Sequence, residues 1–234
     1  MVDYRSFRLN KLNTPEFSHL WLILFWPLYG IAFQALERWI NPTIDNAVLI
    51  YCPWDDAIPF LEVFVIPYYL WFAFIFCSLV YTLFFDVKAF RKGMWMFILT
   101  YTFTVIVYIV FPNYQNLRPP VMERHNIFTK ILEGLYSFDT PTNVFPSLHV
   151  IGSIDSLLTV WGTKHFKSVF AKIGLIVLTV AICLSTVFLK QHSLLDIISG
   201  VIVCVLFFPF VYLEPVQRWF ITLFKKIFRK KETE

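Results

Sequence analysis

The chain has 234 residues and a formal net charge of +4, and its composition is strongly apolar. Hydrophobic residues make up 58%, aromatic residues 20% and charged residues only 15%, against roughly 25% charged residues in an ordinary soluble domain. These proportions exclude an intrinsically disordered chain, and a water-soluble fold would have to expose large apolar patches. We therefore predict an all-α integral membrane protein.

Six segments meet or nearly meet the length of a membrane-spanning helix, which needs about 20 mostly apolar residues. In chain order these segments are Phe17–Trp39, Pro59–Phe85, Gly93–Phe111, Ser147–Trp161, Ser168–Leu189 and Ser193–Leu213. The first lacks a small-residue cleavage site and is expected to remain as an uncleaved anchor. Pro67 predicts a kink in the second. The fourth is short and contains His149 and Asp155.

The distribution of basic residues predicts the orientation of the six-helix bundle. With the N-terminus in the cytoplasm, about three quarters of the 20 Lys and Arg residues fall on the cytoplasmic side. Both termini are therefore predicted to be cytoplasmic. The fourth span gains support from this count, because without it Lys164 and Lys167 would lie outside.

The end of the chain has a different pattern. Over Pro215–Lys231, apolar and basic residues alternate at helical spacing, which predicts a basic amphipathic helix on the anionic cytoplasmic leaflet. The sequence thus divides into a transmembrane unit, residues 1–214, and an interfacial tail, residues 215–234.

Three polar stretches fall together on the predicted outer face, where spans begin or end. Their candidate functional residues are Arg118, Ser147, His149, Lys190, His192 and Asp196. This placement predicts a multi-pass protein of the cell membrane with its active site on the extracytoplasmic side. Asp155 lies on the fourth span away from His149, and we interpret it as a structural polar contact.

The residue types in these stretches favour phosphate chemistry. His192 and Asp196 are four residues apart and share a helix face, so the carboxylate can fix the imidazole tautomer and leave the other nitrogen as a nucleophile. His149 could protonate a leaving oxygen. Ser147 opens a helix whose N-terminus favours an anion. The pattern predicts phosphoryl transfer through a phosphohistidine intermediate.

Two cationic side chains complete this predicted phosphate site. Arg118 offers a planar guanidinium suited to phosphate oxygens, and Lys190 adds a point charge.

In order and spacing, the three stretches resemble the signature motifs of the type 2 phosphatidic acid phosphatase superfamily, whose members include lipid phosphate phosphatases. The first motif, K-x6-R-P, ends here in R-P at residues 118–119. The second, P-S-G-H, is P-S-L-H at residues 146–149. The third, S-R-x5-H-x3-D, is S-T-x5-H-x3-D at residues 185–196.

The resemblance implies that His192 is the nucleophile, Asp196 its partner and His149 the acid for the leaving group. It implies that the phosphate is held by Arg118, Ser147 and the backbone of Leu148. Neither a metal nor another cofactor is implied, and the sequence shows no carboxylate cluster for a metal. The expected partners are a lipid phosphate substrate and membrane lipids, and no nucleic acid.

Two positions depart from the motifs: Phe111 stands in place of the first motif's Lys, and Thr186 in place of the third motif's Arg. The F-P-S-L-H form at residues 145–149 and the K-Q-H form at residues 190–192 resemble the branch that includes inositol phosphoryl transferases of sphingolipid synthesis. Hydrolysis of a lipid phosphate or diphosphate at the outer leaflet is the favoured function. Transfer of a phosphorylated headgroup to a lipid or polyol acceptor is one alternative. A non-catalytic lipid-binding or transport protein on the same scaffold is the other.

Overall fold

The structure is a computed structural model that describes residues 2–39, 47–163, 166–219 and 222. Over these residues the fold is all-helical in class, with 72% helix and almost no strand. The α-helices are α1 (Phe25–Trp39), α2 (Trp54–Ala57), α3 (Val65–Phe85), α4 (Val87–Val110), α5 (Ile127–Phe138), α6 (Leu148–Trp161), α7 (Val169–Phe188) and α8 (Leu194–Tyr212). The 3₁₀ helices are Tyr4–Ser6, Leu9–Lys11, Ser18–Leu24 and Glu62–Phe64. Two short parallel strands, β1 (Val48–Leu49) and β2 (Asn113–Tyr114), pair with each other.

Five helical segments of the described chain are long and apolar enough to cross a membrane: Ser18–Trp39, Glu62–Phe85, Val87–Val110, Val169–Phe188 and Leu194–Tyr212. The remaining apolar helix, α6, has 14 residues. Its length of about 21 Å is below the roughly 30 Å of a bilayer hydrocarbon core. The sixth span and the cytoplasmic termini stay predictions.

The short helix α6 is the centre of the bundle, because it packs against α3, α4, α7 and α8. Its polar side chains Ser153, Asp155 and Ser156 are fully buried. The Oδ2 atom of Asp155 accepts a hydrogen bond from the Thr100 hydroxyl at 2.7 Å, and Oδ1 lies 3.7 Å from the Cys204 sulfur. This geometry agrees with a structural role for Asp155.

Glycines allow the neighbouring helices to lie close to α6, as small residues do in membrane proteins. A Cβ atom on Gly200 of α8 would lie 3.0 Å from the Cβ of Val150 and 3.2 Å from the Ser147 carbonyl oxygen. A Cβ on Gly93 of α4 would lie 2.9 Å from the Cβ of Thr159. The contact of α6 with α4 therefore requires the absence of a side chain at Gly93, and a side chain at Gly200 would make the contact of α6 with α8 tight.

Serine caps explain why three predicted spans begin within one residue of the observed helices. Ser147, Ser168 and Ser193 precede α6, α7 and α8, and each hydroxyl accepts a hydrogen bond from a backbone N–H in the first turn. Serine is among the preferred residues at this position, because it satisfies an N–H that has no partner within the helix.

The structure differs from the sequence-based expectation in several places. The first span starts as the 3₁₀ helix Ser18–Leu24 and becomes α-helical only at Phe25. Pro67 lies in the first turn of α3, where a missing N–H removes no intrahelical hydrogen bond, so the predicted kink has no cause there.

The loop after the third span contains α5, which was not predicted. Residues 214–219 are helical, but most of the predicted amphipathic tail lies outside the described residues.

Replacing Gly93 by alanine is expected to destabilise the bundle. Overpacking against the buried Thr159 costs about 1–3 kcal/mol, and this exceeds or offsets the roughly 1 kcal/mol that alanine gains over glycine as a helix former. Gly174→Ala in α7 is the matched control, because a Cβ there meets no atom within 4 Å. Thermal unfolding in detergent should show a lower midpoint for Gly93→Ala than for the control. Equal midpoints would contradict the packing argument.

Candidate active site

A cavity of about 470 Å³ lies at the end of the bundle where α6 and α8 begin. We call it the histidine cavity, because both His149 and His192 line it. Its other walls come from α1, α3, the ends of α4 and α5, and the loop 139–144.

His192, in the turn before α8, has a fixed tautomer. Its Nδ1 atom lies 3.0 Å from Oδ2 of Asp196 and 3.1 Å from the carbonyl oxygen of Val144. A carbonyl oxygen only accepts hydrogen bonds, so Nδ1 carries the proton and Nε2 keeps its lone pair. Asp196 is itself held by the N–H of Ser193 at 3.0 Å. The structure therefore brings together the imidazole and carboxylate that the sequence spacing pairs.

His149, in the first turn of α6, lies opposite this group. The centroids of the two imidazole rings are 5.8 Å apart. The ring of His149 is held between Tyr68 and Trp71, whose ring centroids lie at 4.1 and 4.2 Å. Its Nε2 atom is buried and has no hydrogen-bond partner in the described part of the chain. Aromatic packing thus fixes the ring and leaves this nitrogen available.

Backbone contacts between the two segments bring the histidines together. The N–H of Ser147 donates to the carbonyl oxygen of Asp196 at 3.2 Å, which joins the start of α6 to the first turn of α8. Just before it, the side-chain oxygen of Asn113 accepts from the N–H groups of Val144 and Phe145, both at 2.9 Å. The peptide bond between Phe145 and Pro146 is cis.

Ser147 and Leu148, the predicted phosphate-binding residues at the start of α6, differ in their position relative to the cavity. The hydroxyl of Ser147 is fully buried and caps the N–H of Val150 at 3.5 Å. Leu148 lines the cavity, and as the first helical residue it has an N–H without an intrahelical partner. The helix N-terminus at this point favours an anion.

Arg118 lies behind the cavity wall rather than in it. Its guanidinium donates to the carbonyl oxygens of Tyr136 at 3.1 Å and Asp139 at 2.7 Å, and to Oε1 of Gln191 at 2.5 Å. Burial lowers the pKa of Arg118 from its usual value, and the carboxylate of Asp139 opposes this shift. Because Gln191 and Asp139 line the cavity, Arg118 is one side chain away from it.

The structure does not bring Lys190 to the histidines. The backbone of Lys190 has a φ of 53°, and its ammonium donates to the carbonyl oxygens of Asp55 at 2.7 Å and Ile58 at 2.6 Å. Burial lowers the pKa of Lys190, while Asp55 and Asp56 raise it. The positive charge serves to hold the loop around α2 in place.

Sequence reasoning missed Asp55, which is buried and supports the start of α8. Its carboxylate accepts hydrogen bonds from the hydroxyl of Ser193 at 2.6 Å, the N–H of Leu194 at 2.9 Å and the N–H of Cys52 at 2.8 Å. It is 138 residues from Ser193 in sequence, so no spacing rule connects the two. The one sequence signal that could have indicated Asp55 is the acidic pair that it forms with Asp56 in a mostly apolar outer segment.

One wall of the histidine cavity is acidic. Glu37 of α1 accepts hydrogen bonds from the side chains of Thr140 and Asn143. Asp139 accepts from the hydroxyl of Tyr68 at 2.7 Å and from Gln191 at 3.1 Å. Both carboxylates line the cavity, and among the residues described no Lys or Arg does. In the described part of the chain, no group of three or more His, Cys, Asp or Glu side chains is arranged to hold a metal ion.

The comparison with protein families identifies the scaffold on which this site is built. A profile of the PAP2 superfamily matches residues 92–220, more than half of the chain. The chain belongs to the PAP2 superfamily. Members are generally phosphatases or phosphotransferases. No curated protein and no solved structure matches the chain significantly. The matched range contains both histidines and Asp196, whereas Glu37 and Asp55 lie before it.

Replacing Asp55 by alanine is expected to lower stability, because it leaves buried donors at the start of α8 without partners. Such groups cost about 1–3 kcal/mol each. Asp56→Ala is the control, since that neighbouring carboxylate is exposed. Thermal unfolding of the two variants in the same detergent measures the difference. A midpoint for Asp55→Ala equal to that of the control would show that the carboxylate does not support α8.

Proposed function

We propose that this protein is a membrane lipid phosphatase that cleaves a lipid phosphate or diphosphate ester through a phosphohistidine, without a metal ion. The observation that carries the proposal is the pair of imidazoles 5.8 Å apart, one with its proton fixed on Nδ1 and the other with a free buried nitrogen. Membership of the PAP2 superfamily supports the same class of reaction.

In the proposed reaction, Nε2 of His192 attacks phosphorus, and the bond from phosphorus to the leaving oxygen breaks. His149 donates a proton to that oxygen, and Asp196 stabilises the positive charge that develops on His192. Water then attacks phosphorus with His149 taking its proton, and the bond from phosphorus to Nε2 of His192 breaks, which releases phosphate and restores the imidazole. The backbone N–H of Leu148 at the helix N-terminus and the nearby charge of Arg118 favour the anion.

We further propose that the site faces the extracytoplasmic side of the cell membrane. The support is the distribution of basic residues, since Lys88, Arg91, Lys92 and Lys172 lie at the N-terminal ends of α4 and α7, opposite the histidine cavity.

Replacing either histidine by alanine should abolish most of the turnover in purified protein. For His149→Ala we expect a loss of about 10²–10⁴-fold, the usual contribution of a general acid, and for His192→Ala at least as much. His125→Ala is the control, because that residue is exposed and outside the histidine cavity. Phosphate release from a panel of lipid phosphates is the measurement. Full turnover in either cavity variant would refute the proposed mechanism.

Two reagents test the same mechanism without substitution. A chelator should leave turnover intact, whereas vanadate, a mimic of phosphate, should inhibit. Loss of turnover on chelation would show that the reaction needs a metal.

A second candidate is transfer of a phosphorylated headgroup to an alcohol, and the acidic wall favours it. The carboxylates of Glu37 and Asp139 repel a doubly charged phosphomonoester more strongly than a singly charged phosphodiester. The side-chain oxygen of Asn143 is also buried without a partner, so it can accept a hydrogen bond from a hydroxyl group. Product analysis separates the candidates, because hydrolysis releases free phosphate or a phosphorylated headgroup and transfer does not.

Glu37→Gln removes one negative charge from this wall without changing its shape. We expect the ratio of kcat/KM for a phosphomonoester to that for the matching phosphodiester to rise about tenfold, since 1.4 kcal/mol of relieved repulsion corresponds to that factor. Glu133→Gln on the exposed face of α5 should leave the ratio unchanged. An unchanged ratio in Glu37→Gln would remove the electrostatic argument. If the unmodified protein turned over neither substrate, the non-catalytic lipid-binding or transport alternative would be favoured.

A further inference from the structure

The histidine cavity extends well beyond the catalytic groups along two helices. On α1 its lining runs from Glu37 back to Tyr29, and on α3 it runs from Tyr68 to Phe72. At 1.5 Å per residue, the α1 stretch is about 12 Å long. Both stretches lead away from the end of the bundle that holds the histidines, toward the middle of the helices. We call this extension the α1–α3 slot.

The walls of the α1–α3 slot change character with distance from the histidines. Glu37 and the polar loop 139–144 surround the upper part, which is the part nearest the histidines. The lower part is lined by Tyr29, Gly30, Phe33 and Phe72, none of which carries a charge. A polar upper end and an aromatic lower end match a molecule with a charged head and an apolar chain.

The slot is open at the side of the bundle. Gly30 is exposed, and a Cβ atom placed on it would meet no atom within 4 Å. Phe72, on the opposite wall, is 54% exposed. The reason is that α1 packs mainly on α4 and on the preceding 3₁₀ helix Ser18–Leu24. Nothing else in the described chain fills the gap between α1 and α3 at this level.

We propose that the α1–α3 slot binds a hydrocarbon chain of the substrate, and that the lipid reaches the histidines sideways from the bilayer through it. The inference rests on the proposed function, because it assumes that the phosphate of a lipid lies between His149 and His192. Continuity of the slot with the histidine cavity identifies the occupant as the chain of that same lipid. Both helices of the slot precede the residues that match the superfamily.

Filling the slot tests the proposal. Gly30→Leu adds an apolar side chain to the wall of the slot, at a position where a Cβ atom meets no other atom within 4 Å. Gly174→Leu in α7 is the matched control, since it makes the same change at an equally open position outside the histidine cavity. Turnover is measured on a long-chain alkyl phosphate and on a short-chain, water-soluble ester with the same headgroup.

Gly30→Leu should lower kcat/KM for the long-chain substrate by about tenfold or more, as expected when an apolar pocket no longer fits its ligand. The short-chain ester should be turned over as in the unmodified protein, and Gly174→Leu should change neither value. Equal loss on both substrates, or no loss on the long chain, would overturn the slot as a chain site. Absence of turnover on every substrate in the unmodified protein would instead count against the proposed function.

A second measurement does not depend on turnover. A long-chain lipid phosphate with a photoreactive diazirine in its chain should label α1 and α3 in the unmodified protein, and should label them much less in Gly30→Leu. Labelling that spares both helices, or that is unaffected by Gly30→Leu, would overturn the proposal.

Discussion

The site depends on the contact between the start of α6 and the first turn of α8. The N–H of Ser147 donates to the carbonyl oxygen of Asp196, and the imidazole of His192 faces the carbonyl oxygen of Val144. Each histidine segment is therefore held by the backbone of the other. Gly200 makes this contact possible, because any side chain there would press on Val150 and on the Ser147 carbonyl. The separation of the two imidazoles is thus set by backbone contacts and by close helix packing.

Local rules in the sequence predict the parts of the structure that local physics controls. Serine caps mark the starts of α6, α7 and α8, and hydrophobic length marks the five long spans. The spacing of His192 and Asp196 predicts their pairing, because residues four apart share a helix face. The short motifs also identify the superfamily, which the family comparison confirms. In each of these cases the partners lie within one turn or one contiguous segment.

Contacts between distant segments could not be predicted in this way. Tyr68 meets His149, and Asp55 meets Ser193, only because tertiary packing joins helices far apart in sequence. The positive charge of Arg118 is predictable, but the direction in which its side chain points is not. The guanidinium is held by carbonyl groups at the end of α5 and by Gln191, which are distant in sequence. The same holds for Lys190, whose backbone conformation turns the ammonium toward the loop around α2. Amphipathic α5 has 12 residues, which is too short for the hydrophobic length of a membrane span to indicate it.

The short central helix has a consequence for how the chain is assembled during translation. Outside the bundle, α6 would expose the carboxyl group of Asp155 to lipid, at a cost of about 2.5–3.5 kcal/mol at the bilayer centre. One partner of this group, Thr100, precedes α6 in the chain, but the other, Cys204, belongs to α8, which is synthesised after α6. The surroundings of Asp155 are therefore complete only when α8 packs against α6. Since His192 and Asp196 lie at the start of α8, a nascent chain holds no complete site until α8 has joined the bundle.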